Sequence, residues 1–201
     1  MSRSIISVCL ALVLASTCYA GTVLCRWEGT DLEGFNLDSG STPTFQQTIG
    51  VTQGQYSLRV AGSLGNTLLG GITISPADFA ANSQVKLDIT TLAADFDSSW
   101  GLGLSAVMTG DGLGWQQWND LLPAWSPSSG LDRTATATVD YGSVKSLWDG
   151  TSSVLIRYYA STGGGTITQF VAYLDNLRMI PEPATMTLLG LGGLALIRRK
   201  K

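Results

Sequence analysis

Apolar and polar residues alternate with a period of two through most of this chain. Tyr56, Leu58 and Val60 stand against Ser57 and Arg59, and Val85, Leu87 and Ile89 against Lys86 and Asp88. Leu102, Leu104, Ala106 and Met108 line one side of the next candidate strand. Val154, Ile156 and Tyr158 alternate with Leu155, Arg157 and Tyr159, and Phe170, Ala172 and Leu174 with Val171, Tyr173 and Asp175. Thr134, Thr136 and Thr138 form a polar row against Ala135, Ala137 and Val139. Because successive side chains of a strand point to opposite faces, each such stretch predicts a strand with one buried side. Shorter candidates lie at 22–28, 44–51, 68–74 and 113–118. Gly, Asn, Asp and Ser clusters separate about nine or ten strands, with loops at 38–44 and 161–165. One helical turn is predicted over Pro76–Ala81, where Ser75 can cap and Pro76 occupies the first helical position. Many short strands, turn signals between them and no internal repeat predict an all-β fold, a sandwich or a barrel.

Two apolar runs at the chain ends break the alternation. Residues Met1 to Ala20 read as a secretory signal peptide, with Arg3 in the n-region, an apolar stretch from Ile5 to about Ala15, and small residues around Cys18-Tyr19-Ala20. A lipoprotein reading fits poorly, because Ala15-Ser16-Thr17-Cys18 lacks the expected leucine. At the other end Pro181-Glu182-Pro183 precedes an apolar run from Ala184 to Ile197, and Arg198-Arg199-Lys200-Lys201 closes the chain. As a helix that run would rise roughly 21 Å, short of the roughly 30 Å core of a bilayer. Gly190, Gly192 and Gly193 weaken it further, and the four cations hold the end on the cytoplasmic side. It reads either as a marginal permanent anchor or as a transient stop. The expected organisation is a signal helix over 1–20, one β domain over 21–179 and a hydrophobic C-terminal helix within a terminal segment over 180–201.

The three-part tail resembles the PEP-CTERM sorting signal of bacterial surface proteins. The resemblance implies that Pro181, Glu182 and Pro183, with Arg198 and Arg199 beyond the apolar run, are read by a membrane enzyme of the exosortase type. It further implies an exported protein of the cell surface or extracellular matrix, held transiently in the inner membrane and associated with biofilm polysaccharide.

Composition narrows the chemistry. The body over 21–179 carries seven Lys/Arg and fourteen Asp/Glu, a net of −7 that the cationic tail partly masks in the whole chain's −3. An acidic surface argues against nucleic acid as a partner and suits a neutral ligand or a divalent cation. The chain has no histidine, which excludes every triad and metal site that needs imidazole. Removal of the leader takes Cys9 and Cys18 with it, leaving Cys25 alone and without an internal disulfide partner.

The stretch from Gly110 to Gly130 holds Trp115, Trp118 and Trp125, with Gln116, Gln117, Asn119 and Asp120 between them. Flat aromatic faces for the apolar side of the ring, beside amides or carboxylates for the hydroxyls, are what sugars need. Trp115, Gln117, Trp118 and Trp125 are therefore the candidate carbohydrate-binding residues, although strand geometry lets only one of Trp115 and Trp118 face a ligand. Trp27, Trp100 and Trp148 read as packing residues, and one of Tyr158 and Tyr159 faces outward.

Arg26-Trp27-Glu28-Gly29, Gly54-Gln55-Tyr56-Ser57-Leu58-Arg59-Val60 and Ala172-Tyr173-Leu174-Asp175-Asn176 together resemble jelly-roll carbohydrate-binding modules and galactose-binding-like domains. That resemblance implies a two-sheet β-sandwich of jelly-roll type, with a structural calcium shared by Glu28 and Asp175 at opposite ends of the body. Catalysis is not expected: the nearest acid pairs are Asp95/Asp97, which reads as a hydrated turn or a loop cation site, and Glu28/Glu33, and no nucleophile elbow, phosphate loop or zinc spacing is present. The expected role is non-catalytic, binding or organising polysaccharide. A structural matrix protein without a defined ligand is the first alternative, and a weak glycan hydrolase or lyase the second.

Overall fold

The alternating stretches become the strands of two antiparallel sheets. The structure, a computed structural model, describes residues 21–37, 43–62, 66–93, 102–122, 132–162 and 170–181. The expected signal and C-terminal helices lie outside these residues, as do Trp100, Trp125, Asp95 and Asp97. No helix among the described residues is long and apolar enough to cross a membrane.

In chain order the strands are β1 (Val23–Cys25), β2 (Asn36–Leu37), β3 (Thr44–Gln46), β4 (Ser57–Gly62), β5 (Asn66–Ile74), β6 (Asn82–Thr91), β7 (Leu102–Gly110), β8 (Gly114–Trp118), β9 (Arg133–Asp140), β10 (Val154–Thr162) and β11 (Phe170–Pro181). The six-stranded sheet runs β3-β4-β11-β6-β9, with β1 pairing β11, and the five-stranded sheet runs β2-β5-β10-β7-β8. The strands leave one sheet and return to it across the other, so the first and last strands meet: Val23 lies opposite Arg178. Strand β2, two residues long, carried no periodicity signal in the sequence.

The core lies between the sheets and is built from the apolar members of each alternation. Leu58, Leu87, Ile89 and Leu174 enter it from one side and Ala106, Met108, Ile156 and Tyr158 from the other, all fully buried. Burying such side chains contributes about 1.5–3 kcal/mol each. Tyr158 is thus the inward member of its pair and Tyr159 the outward one. Trp27 is fully buried and packs edge-on against Phe35 at 5.6 Å.

The one helical turn, α1 (Pro76–Ala81), begins as expected: the Ser75 hydroxyl accepts from the Asp78 N–H at 3.1 Å. It seats Phe79 against Tyr141, stacked at 4.4 Å, and against Trp148 edge-on at 5.0 Å, which plugs one end of the sandwich. Strand β11 runs past the boundary expected at 179. Ile180 pairs with Gln84 and Pro181 with Asn82, so the body's last strand and the tail motif share residues.

Candidate functional site

Each sheet offers one outward face. On the six-stranded sheet the central strip is closed, with Asp175 0%, Tyr173 5% and Thr90 6% exposed. The segment 47–56 folds against it: Ser57 Oγ donates to the Ile49 carbonyl, and the N–H groups of Thr52 and Gln53 reach Asp175 Oδ2.

The five-stranded sheet is less covered: among its outward residues Thr73, Trp115 and Gln117 are exposed, Leu155, Arg157 and Tyr159 half-buried, and Val107 buried. Trp115, on its edge strand β8, is 60% exposed. The registers place one outward row at Thr73, Leu155, Thr109 and Trp115. The next row is Asn36, Gly71, Arg157, Val107 and Gln117, and a third carries Tyr159 beside Ser105. Along β8 the outward side chains form a ladder. The Trp115 indole N–H points to Gln117 Oε1 at 3.5 Å, and the Gln117 amide donates to Asn119 Oδ1 at 2.8 Å. Beside the ladder Gly103, Ser105, Gln117, Asn119, Asp120 and Ser161 line a pocket of about 160 Å³. Its polar groups are mostly amides and hydroxyls, the partners a sugar hydroxyl needs.

Of the four expected sugar-binding residues, Trp115 and Gln117 lie on this open face. Trp118 does not. Three positions along a period-two strand reverse its direction, and its indole N–H donates to the Asp140 carbonyl at 2.9 Å while its ring packs against the core. Trp125 lies outside the described residues. Asn119 and Asp120, polar members of the tryptophan segment, line the pocket, and sequence reasoning missed Ser105 and Ser161 beside them. The alternation of β7 marked Ser105 as outward, but nothing local showed that β7 and β8 would pair beside the end of β10.

Glu28 and Asp175 converge on one loop. Glu28 Oε1 accepts the Gln55 N–H at 2.7 Å, and Asp175 Oδ2 accepts the Gln53 N–H at 2.7 Å. The Thr52 hydroxyl lies 2.9 Å from both Asp175 Oδ2 and Asp88 Oδ2. A calcium cage turns carbonyl and carboxylate oxygens inward; here N–H groups are turned toward the carboxylates, so the donor set does not fit a shared cation in this arrangement. Among the described residues no three His, Cys, Asp or Glu side chains gather into a metal-binding group. Calcium at Glu28 and Asp175 therefore stands as a proposal about a different arrangement of this loop.

Burial pushes the Asp175 carboxyl above its ordinary range, against the N–H groups of Gln53, Thr52 and Asn176. Burial also pushes the neighbouring Asp88 up. Hydrogen bonds from Thr136, Asn176 and Thr52, with the charge of Arg178 at 3.1 Å, outweigh it and leave Asp88 below its ordinary value. Burial, with the Glu33 charge, pushes the Cys25 thiol up to about 12, so this free cysteine is an inert core residue.

Three comparisons bear on this geometry. Residues 180–201 match the PEP-CTERM protein-sorting motif. No curated protein matches the chain in sequence. Among solved structures the fold is similar to the C-terminal family 22 carbohydrate-binding module of Clostridium thermocellum, with 13% identity, TM-score 0.52, and coverage of 83% of this chain and 96% of that one. It is also similar to a structure described for the promiscuous specificity of carbohydrate-binding modules from the β-sandwich superfamily, with 11% identity, TM-score 0.50, and coverage of 81% and 63%. An exo-β-agarase matches with 12% identity and TM-score 0.51 over 81% of this chain, but over only 25% of its own length. The chain is a two-sheet β-sandwich with the fold of carbohydrate-binding modules, and it carries a PEP-CTERM protein-sorting motif at residues 180–201.

Proposed function

We propose that this is an exported, surface-sorted, non-catalytic protein that holds extracellular polysaccharide on the outward face of its five-stranded sheet. The observation that carries the reading is Trp115, a large aromatic 60% exposed on a regular strand beside a pocket of amides and hydroxyls. An exposed tryptophan costs apolar contact with water, and a sugar ring stacked on it relieves that cost while the pocket takes the hydroxyls. The fold supports the reading, since one similar structure is a family 22 carbohydrate-binding module whose cleft residues were studied in ligand binding. The tail supports an extracellular setting, with an exosortase-type enzyme as processing partner and the inner membrane as transient station.

The agarase match favours a hydrolase as second reading. Glycoside hydrolysis generally needs a pair of carboxylates. The strands of the five-stranded sheet contain no Asp or Glu, so the open face lacks that pair within its strands. A glycan array with the purified protein tests the proposal. Retention of at least one polysaccharide, lost in Trp115→Ala, is expected; no retention of any glycan, or retention unaffected by the substitution, rejects it.

A further inference from the structure

The five strands of the open sheet read Asn-Leu, Asn-Thr-Leu-Leu-Gly-Gly-Ile-Thr-Ile, Leu-Gly-Leu-Ser-Ala-Val-Met-Thr-Gly, Gly-Trp-Gln-Gln-Trp and Val-Leu-Ile-Arg-Tyr-Tyr-Ala-Ser-Thr. They contain one charged residue, Arg157. It stands on the central strand β10, in the outward row between Gly71 and Val107 and in line with Gln117. The other six cations of the body belong to the six-stranded sheet or to connections.

Two features set this side chain apart. First, Gly71 opposite it is bare: a Cβ there would run into the Ile156 carbonyl oxygen and crowd Arg157 Cγ at 3.0 Å, so the arginine stem lies against backbone with no neighbouring side chain between them. Gly71 has no positive φ to account for it; what glycine supplies there is space. Secondly, among the described residues the Arg157 side chain has neither an ion pair nor a hydrogen bond. The ion pair seen there joins Arg178 to Asp88 on the opposite sheet. A half-buried arginine whose five N–H donors meet no acceptor among the described residues is an unusual centre for strands otherwise built of hydroxyls, amides and apolar groups; the carboxylate of Asp120 lies beyond the end of β8, at the pocket.

We propose that Arg157 reads an anionic group on the bound glycan, so that the preferred ligand is an acidic polysaccharide whose sugar units carry carboxylates. The inference rests on the polysaccharide reading above and names the ligand class for the same face. A carboxylate meets a guanidinium through two parallel N–H···O bonds, which a neutral hydroxyl cannot match. Val107 beside it is only 3% exposed, so the pair forms over an apolar floor, where such a contact is stronger than in open water. The body's net charge of −7 does not oppose this at contact range, because charges farther than about 8 Å are largely screened at physiological salt.

Titration calorimetry of the full chain against polygalacturonate, its fully methyl-esterified form, a sulfated galactan and neutral xylan tests the idea. The methyl ester keeps the sugar and removes the charge. The expected result is tighter binding of polygalacturonate than of its ester by tenfold or more. That ratio should fall to about one in Arg157→Gln and stay intermediate in Arg157→Lys, with unfolding temperatures unchanged. Tight binding of the sulfated galactan alone, lost in Arg157→Gln, keeps Arg157 as anion reader but overturns the carboxylate as its target. Equal binding of ester and acid, unmoved in Arg157→Gln, overturns the inference and leaves the polysaccharide reading standing. No binding of any of the four overturns both.

Discussion

Trp115 and Trp118 stand three positions apart on β8 and face opposite ways: Trp115 is 60% exposed, and Trp118 donates its indole N–H inward to the Asp140 carbonyl at 2.9 Å. The two substitutions should therefore separate binding from stability. Trp115→Ala should change unfolding free energy by less than about 0.5 kcal/mol and weaken glycan affinity by about tenfold or more. Trp118→Ala should cost about 2–3 kcal/mol, the lower end for an aromatic removed from a core, since this ring is only partly buried. Thermal unfolding and calorimetry on both variants check this. A large loss of stability in Trp115→Ala would contradict the assignment of faces.

Gly50 and Gly54 both adopt positive φ in the segment that closes the six-stranded sheet, at 72° and 81°. An alanine at either pays the left-handed penalty of about 1–2 kcal/mol. They differ in what the new methyl meets. At Gly54 it meets Glu28 Oε1, the far end of a flexible side chain that can swing away and release the Gln55 N–H. At Gly50 it meets Tyr173 Cβ at 2.4 Å, an atom fixed to the middle of β11. Gly50→Ala should lower the unfolding midpoint more than Gly54→Ala. Urea titrations of the two variants measure the difference, and the reverse order would refute the packing described.

Asp88 and Asp175 should pull the acid response in opposite directions. The Asp88 carboxyl is held below its ordinary value. It contributes stability that is fully present above the unfolded carboxylate range near pH 3.9 and is lost as pH falls through its lowered folded value. Asp175 is raised, so its penalty is present at neutral pH and is relieved on acidification. Asp88→Asn should flatten the acid loss of stability, and Asp175→Asn should steepen it. Urea unfolding at several pH values between 7 and 3 gives both slopes.

The N–H groups aimed at Glu28 and Asp175 predict that a chelator leaves the unfolding temperature unchanged. A fall of several degrees on adding chelator, reversed by calcium, would show that the loop over 52–55 rearranges around an ion that both carboxylates share.

Processing of the tail is checked by the mass of the protein recovered from the cell exterior. Loss of the residues after about Pro183 is expected from the sorting motif. Since Pro181 still pairs with Asn82 in the sheet, removal at that point should leave the unfolding temperature of the body unchanged.

The sequence alone marked the longer strands and which side of each faces the core. Period-two alternation is a local property, and the inward members Leu58, Leu87, Met108, Ile156 and Leu174 were legible from it, while local signals also gave the Ser75 cap and the C-terminal sorting motif. It also determined that Trp115 and Trp118 part company, since three steps along a strand reverse direction. Tertiary structure decided what no local pattern holds. It chose Tyr159 over Tyr158 as the outward residue, paired β8 with β7 so that Gln117 and Asn119 meet Ser105, and covered one sheet's outer face while leaving the other open. It also brought Glu28 and Asp175 to the same loop from opposite ends of the body. These outcomes depend on which strands become neighbours, and strand neighbourship is fixed by the mutual burial of distant apolar faces, a quantity that no single stretch of chain contains.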